Sequence, residues 1–296
     1  MAFKEKPKAI FENYLFVLPA LAMFFTFSIY PFYKVFQLSL YNWDGISPTM
    51  KFVGFSQFKD IFFSNPVWWS SMGNAAYITL LALIIQNALA LILALAVDKD
   101  IKGGNAYRVI FYLPPVLSGI VVGLIWNWIY DGNYGLLNFW LSKIGLAHLT
   151  RAWLAEPKTA LTCVAIIHMW KGFGWGFVIL LAGLQNIPRE LYEAAKVDGA
   201  SGWDTFMRIT IPLMVPVFVL VSILTILGTM NIYDLIVATT GGGPGYHTEV
   251  PITRILASMR YTSRFGYACA QGLVFGVVLL IVSMTQIWFS KYLKQE

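Results

Sequence analysis

Charge is what this sequence is short of. Asp, Glu, Lys and Arg make up 12% of its 296 residues, about half the share usual in a soluble domain. Cysteine is also scarce. Cys163 and Cys269 both fall inside apolar runs, which excludes a disulfide framework and a cysteine-based metal centre. The histidines are His148, His168 and His247, too scattered to suggest a zinc site. No Walker-type sequence occurs, and the run from Gly241 to Gly245 lacks the Lys and Ser/Thr that a phosphate-cradling loop requires. With no nucleophile–base pair at useful spacing, no residue is assigned a catalytic role.

Apolar residues fill the space that charge leaves. Hydrophobic residues account for 58% of the chain and aromatics for 16%, enough for several spans of about 20 residues. The net charge of +6 is spread along the chain, which suits anionic headgroups rather than nucleic acid. Apolar runs at residues 14–36, 75–97, 109–130, 160–184, 213–236 and 266–290 predict six transmembrane helices. Residues 1–13 and 291–296 then form short tails. The first run follows Lys4, Lys6 and Lys8 but is too long for a signal h-region, so it reads as a retained helix. Pro19 and Pro31 predict kinks in it, and Pro114-Pro115 interrupt the third run. Basic residues are denser in the tails and in the short loops at 98–104 and 189–212 than in the longer opposite loops. Both termini are therefore expected in the cytoplasm. Tryptophans 43, 68, 69, 126, 128, 153 and 288 mostly flank the runs, as an interfacial belt would.

One polar stretch, 189–212, separates two of these runs. Leu191, Ala194 and Ala195 share a small apolar helix face flanked by Glu190 and Glu193. Gly199, after Asp198, suits a left-handed helix stop. Ser201 and Asp204 suggest a cap for a second short helix carrying Arg208. Pro212 is expected in the first turn of the following span. The product is a bent helical elbow outside the bilayer.

Polar residues inside the runs are costly unless they meet partners or water. His168, Gly172 and Trp175 fall at i, i+4 and i+7 on one face of the fourth run. Thr225, Thr229 and Ile232 share a face of the fifth, with Asn231 and Asp234 beside it. Such faces suit a shared cavity in which an aromatic ring stacks on a sugar while amide and hydroxyl groups meet its hydroxyls. Glycine and threonine serve helix packing equally well. Gln86, Asn87, Gln271 and Gln286 read as interhelical hydrogen bonders, and Lys171 as a snorkelling or paired cation.

Glu193-Ala194-Ala195, then Gly199, then Ile209-Thr210-Ile211-Pro212 resembles the EAA loop of ABC importer permeases. Ile211 stands where that family usually has Leu. Tyr30-Pro31-Phe32, Leu113-Pro114-Pro115, Ile187-Pro188 and Thr240–Pro244 resemble the sugar-importing members, of the maltose "F" and glycerol-phosphate "A" type. The resemblance implies an all-α polytopic membrane protein with the type I ABC importer permease fold. It implies a transport subunit rather than an enzyme, with no cofactor of its own and with ATP and Mg on a separate ATPase. The expected partners are a second homologous permease, two cytoplasmic ATP-binding subunits, an extracytoplasmic solute-binding protein and a carbohydrate, in a bacterial or archaeal cytoplasmic membrane. Coupling residues would be Glu190, Glu193, Ala194, Ala195, Asp198, Gly199 and Arg208. Substrate contacts would be His168, Gly172, Trp175, Thr225, Thr229, Asn231 and Ile232. An ABC permease for another solute and an ion-coupled secondary transporter are the alternatives.

Overall fold

The structure is a computed structural model that describes the backbone of residues 7–98 and 103–293 and the side chains of residues 15–98 and 103–288. Lys4, Lys6, Lys8 and the end of the C-terminal tail lie outside the described side chains. In chain order the elements are α1 (residues 7–39), β1 (Tyr41–Asn42), β2 (Lys51–Phe52), α2 (Ser56–Phe63), α3 (Pro66–Asp98), α4 (Gly104–Val116) and α5 (Gly119–Ile129). Then come α6 (Leu136–Lys143), α7 (Pro157–Gln185), α8 (Arg189–Val197), α9 (Gly202–Met230), α10 (Asp234–Thr239), α11 (Pro251–Arg260) and α12 (Phe265–Leu293). The chain divides into two compact units, Met1–Asn65 with Ile255–Val277, and Pro66–Arg254 with Val278–Glu296.

Among the described residues, five helices are long and apolar enough to cross a membrane, and the α4–α5 pair makes a sixth if it is counted as one broken span. The pair is the third expected span, interrupted as its two prolines suggested. The two helices meet at 95°. Pro114 and Pro115 remove two ladder donors from the end of α4. Leu117 is then extended, and Ser118 Oγ caps α5 by accepting from Val121 N at 3.3 Å.

The fifth span is corrected at both ends. It stops at Met230, not near Ile236, and residues 231–233 break the chain before α10. At its start, Gly202 leads without interruption through Pro212. A proline ring collides with the carbonyl four residues back in a regular helix. Here a wide π turn over Phe206–Thr210 precedes Pro212, and it gives the ring room. Pro31 repeats the device after a π turn at Phe25–Ile29.

In the first unit, Gln57 Nε2 donates to the carbonyls of Ser39 (3.1 Å) and Tyr41 (2.8 Å), tying α2 to the β1 turn. Trp43 meets Phe265 edge-on, and Gly266 lets the start of α12 press against the Tyr41 carbonyl. Ser258 Oγ donates to Gln271 Oε1 at 2.7 Å, the interhelical bond expected of that glutamine.

The core of the second unit gathers on α7. Ala90, Ala94 and Val97 of α3, Phe177, Leu180 and Leu184 of α7, and Met214 and Val221 of α9 form one buried cluster. Lipid is as apolar as these side chains, so close contact rather than water exclusion must hold such helices together. Gly176 is part of that fit, because a Cβ there would come within 3.3 Å of Ala90 Cβ. Gly174 lies so close to the Phe111 carbonyl and Pro115 that a side chain would collide with α4.

Candidate translocation cavity and coupling elbow

Helix α7 carries both candidate sites, one along its length and one beyond its C-terminal end. The first is a cavity of about 590 Å³. Six of the seven expected contact residues line it: His168, Gly172, Trp175, Thr225, Asn231 and Ile232. The helix break after Met230 is what turns Asn231 and Ile232 toward it. Asn231 caps α9 with its Nδ2 donating to the Leu227 carbonyl at 2.8 Å. Trp175 is 54% exposed, and Tyr112 meets it edge-on at 5.3 Å. That leaves the indole available for a planar or ring-shaped guest.

Thr229 is the exception. It is fully buried, and its hydroxyl lies 2.7 Å from that of Thr79 while donating to the Thr225 carbonyl. The helical spacing correctly placed it one turn from Thr225, but α3 covers it. Thr225 itself lines the cavity and also donates to Asn87 Oδ1 at 3.1 Å, so Asn87 is the interhelical bonder it was expected to be.

Gln86, Tyr112 and Lys171, not expected as contacts, join the wall, as does Asp234, expected beside the same face. Asp234 has a structural role as well. Its carboxylate packs on Gly119, so closely that no Cβ would fit there. It therefore sits over the first turn of α5, where helix dipoles favour negative charge. Tyr112 could have been found only by knowing that α4 packs on α7.

The second site is the elbow. Pro188 leads into α8, which ends as expected. Gly199 has φ +75°, Ala200 N donates to the Ala195 carbonyl and Gly199 N to that of Lys196, forming a Schellman motif. Ser201 Oγ accepts from Asp204 N at 3.1 Å and donates to Asp204 Oδ2. Arg208 reaches the same carboxylate at 3.7 Å.

The elbow's apolar face is divided. Ala195 is buried, and Tyr192 beside it contacts Thr210 at 3.2 Å. Leu191 and Ala194 are exposed, as are Glu190, Glu193, Asp198 and Arg208. Helix α8 is thus anchored by one side and presents a mixed apolar and acidic surface on the other.

A multi-span helical bundle with a polar, aromatic cavity in its spans and a short exposed helix between two of them defines a membrane transport subunit. The chain belongs to the family of binding-protein-dependent transport system inner membrane components, which matches residues 86–295. It is 34% identical over 285 residues to the probable ABC transporter permease protein YurN of Bacillus subtilis, covering 96% of this chain and 97% of that one. It is 31% identical to the trehalose/maltose transport system permease protein MalF of Thermococcus litoralis, covering 93% and 92%. Among solved structures, a bacterial ABC transporter involved in the import of the acidic polysaccharide alginate includes a chain that superposes with a TM-score of 0.82 at 24% identity. The match covers 96% of both chains. That likeness bears out the expected fold.

Proposed function

We propose that this chain forms half of the path of an ATP-driven carbohydrate importer and receives its mechanical work through α8. One observation carries the reading. A single unbroken helix, α7, lines the cavity with His168, Gly172 and Trp175 and ends only four residues before the exposed elbow. Movement of the elbow therefore reaches the cavity wall without passing through a flexible loop.

The cavity chemistry supports a sugar. Trp175 offers an apolar face for ring C–H groups, and Asn231, Thr225 and Gln86 offer hydroxyl partners. Several relatives at 30% identity or more are named for sugar transport, among them a diacetylchitobiose uptake permease of Streptomyces coelicolor, NgcF, at 32%. The exposed Leu191, Ala194, Glu190 and Glu193 suit docking into a groove on a cytoplasmic ATP-binding subunit, with Asp198, Gly199 and Arg208 shaping the bend. In this reading two such subunits hold ATP and Mg, a second homologous permease completes the path, and a solute-binding protein delivers the sugar from outside. The elbow and both termini then face the cytoplasm across the inner membrane. ATP works through its differential affinity for the two states of the assembly.

The test is uptake of labelled oligosaccharides by the full transporter in proteoliposomes. ATP-dependent uptake that is lost in Glu193→Lys and weakened in Trp175→Ala and Asn231→Ala is expected. Uptake that follows an ion gradient and ignores ATP would overturn the reading.

A further inference from the structure

Gln86 is the last residue of a π turn at Ala82–Gln86, inside an otherwise α-helical span. Wide turns of this kind recur at functional sites because they push one side chain out of the regular register. Gln86 lines the cavity yet is only 5% exposed. Its Oε1 is sealed from solvent and has no hydrogen-bond partner among the described residues. Gly172, on α7, is what admits the amide. A Cβ at that position would come within 2.6 Å of Gln86 Oε1 and 3.0 Å of Nε2.

An orphaned buried acceptor is destabilising, and a packing residue has no reason to carry that cost. Other amides and hydroxyls of this bundle are paired across helices, Asn87 with Thr225 and Thr79 with Thr229. Gln86 is not, although it stands one residue from Asn87. The terminal torsion of glutamine is broad and soft, so a small rotation exposes Oε1 to a guest without moving the helix.

We propose that Gln86 is a specificity residue of the translocation cavity: its amide turns to accept a hydrogen bond from a sugar hydroxyl, and Gly172 exists to seat that amide rather than to touch the sugar. The inference rests on the carbohydrate-import reading above. A sugar hydroxyl seated in the cavity would supply the partner that Oε1 lacks.

The experiment uses the full transporter with its binding protein in proteoliposomes and measures sugar moved per ATP hydrolysed. Gln86→Leu is expected to lower that ratio about tenfold, the equivalent of one buried hydrogen bond at 1.4 kcal/mol per decade. Gly172→Ala is expected to lower it by displacing the amide. A ratio equal to wild type in Gln86→Leu, whatever happens to the absolute rate, overturns the proposal. If Gln86→Leu does not assemble, Gln86→Asn, one methylene shorter, is read the same way. Failure of both to assemble marks Gln86 as a packing residue and also overturns it. A wild-type transporter that moves no sugar refutes the carbohydrate reading itself, an outcome distinct from these.

Discussion

The hydroxyl of Thr229 lies 2.7 Å from that of Thr79, with both side chains buried, and joins helices 150 residues apart in the chain. Membrane helix pairs rely on such bonds and on close packing, each bond contributing about 0.6 kcal/mol on average. Thr229→Val keeps the volume and removes the bond. It should lower the thermal stability of the purified transporter by about that amount while leaving sugar moved per ATP unchanged. A fall in that ratio with stability intact would return Thr229 to the list of substrate contacts.

Glu249 and Arg254 form a second buried relationship. Their side chains are 9% and 20% exposed, Arg254 Nη1 lies 3.6 Å from Glu249 Oε1, and Thr253 donates to the other carboxylate oxygen. Gly242 packs on the same carboxylate, and Asn74 donates to the Glu249 carbonyl. This pair holds the glycine-rich turn against α3. Breaking a buried pair from one side typically costs about 3–5 kcal/mol, whereas replacing both partners is often neutral. Arg254→Met alone should therefore destabilise strongly, and Arg254→Met with Glu249→Gln should recover most of the loss, as read by inactivation temperature in detergent. Additive losses in the double variant would argue against a coupled pair.

How much of this was legible in the sequence depends on how local the cause is. The elbow was readable because its determinants sit within a few residues: Gly199 stops one helix, and Ser201 with Asp204 starts the next. His168, Gly172 and Trp175 were readable because seven residues of regular helix fix a face. The interruption at Pro114-Pro115 was legible but its 95° bend was not, and the break at residues 231–233 was not, since apolar residues resume directly beyond it. Pro212 does open the helix that follows, as its position suggested, but nothing in its neighbours announces the π turn before it. Thr229 and Gln86 exchanged roles for the same reason. Each depends on a partner helix, α3 over Thr229 and Gly172 beneath Gln86, whose approach leaves no mark on the local pattern.

The turn after Trp43 offers a pH test. The Asp44 carboxylate accepts from Ser47 Oγ, Ile46 N and Ser47 N, which lowers its pKa from 3.8 to about 2, the Ser47 hydroxyl contributing most. A carboxylate depressed in the folded state stabilises above its unfolded value, and that contribution is lost as pH falls through the folded value. Amide exchange at Ile46 and Ser47 should thus stay slow at neutral pH and accelerate, relative to the intrinsic rate, between about pH 3.8 and 2. Asp44→Asn should show the faster exchange at neutral pH. Equal protection in the variant would remove the carboxylate from the account of this turn.

Gly228 permits the most direct test of the cavity. It lines the wall one turn of α9 from Thr225, and a Cβ built there meets nothing within 4 Å. Unlike Gly174 or Gly119, it is not required for packing, so its side chain can be enlarged into the space itself. Gly228→Ala should be tolerated and even favour the helix by about 0.5–1 kcal/mol. Gly228→Leu and Gly228→Phe should fill progressively more of the cavity and reduce uptake in that order, with assembly and ATP-binding-subunit co-purification unchanged. The gradient is the informative feature, because misfolding gives an abrupt loss and a site outside the path gives none. Unaltered uptake in Gly228→Phe would place the passenger's route elsewhere in the bundle.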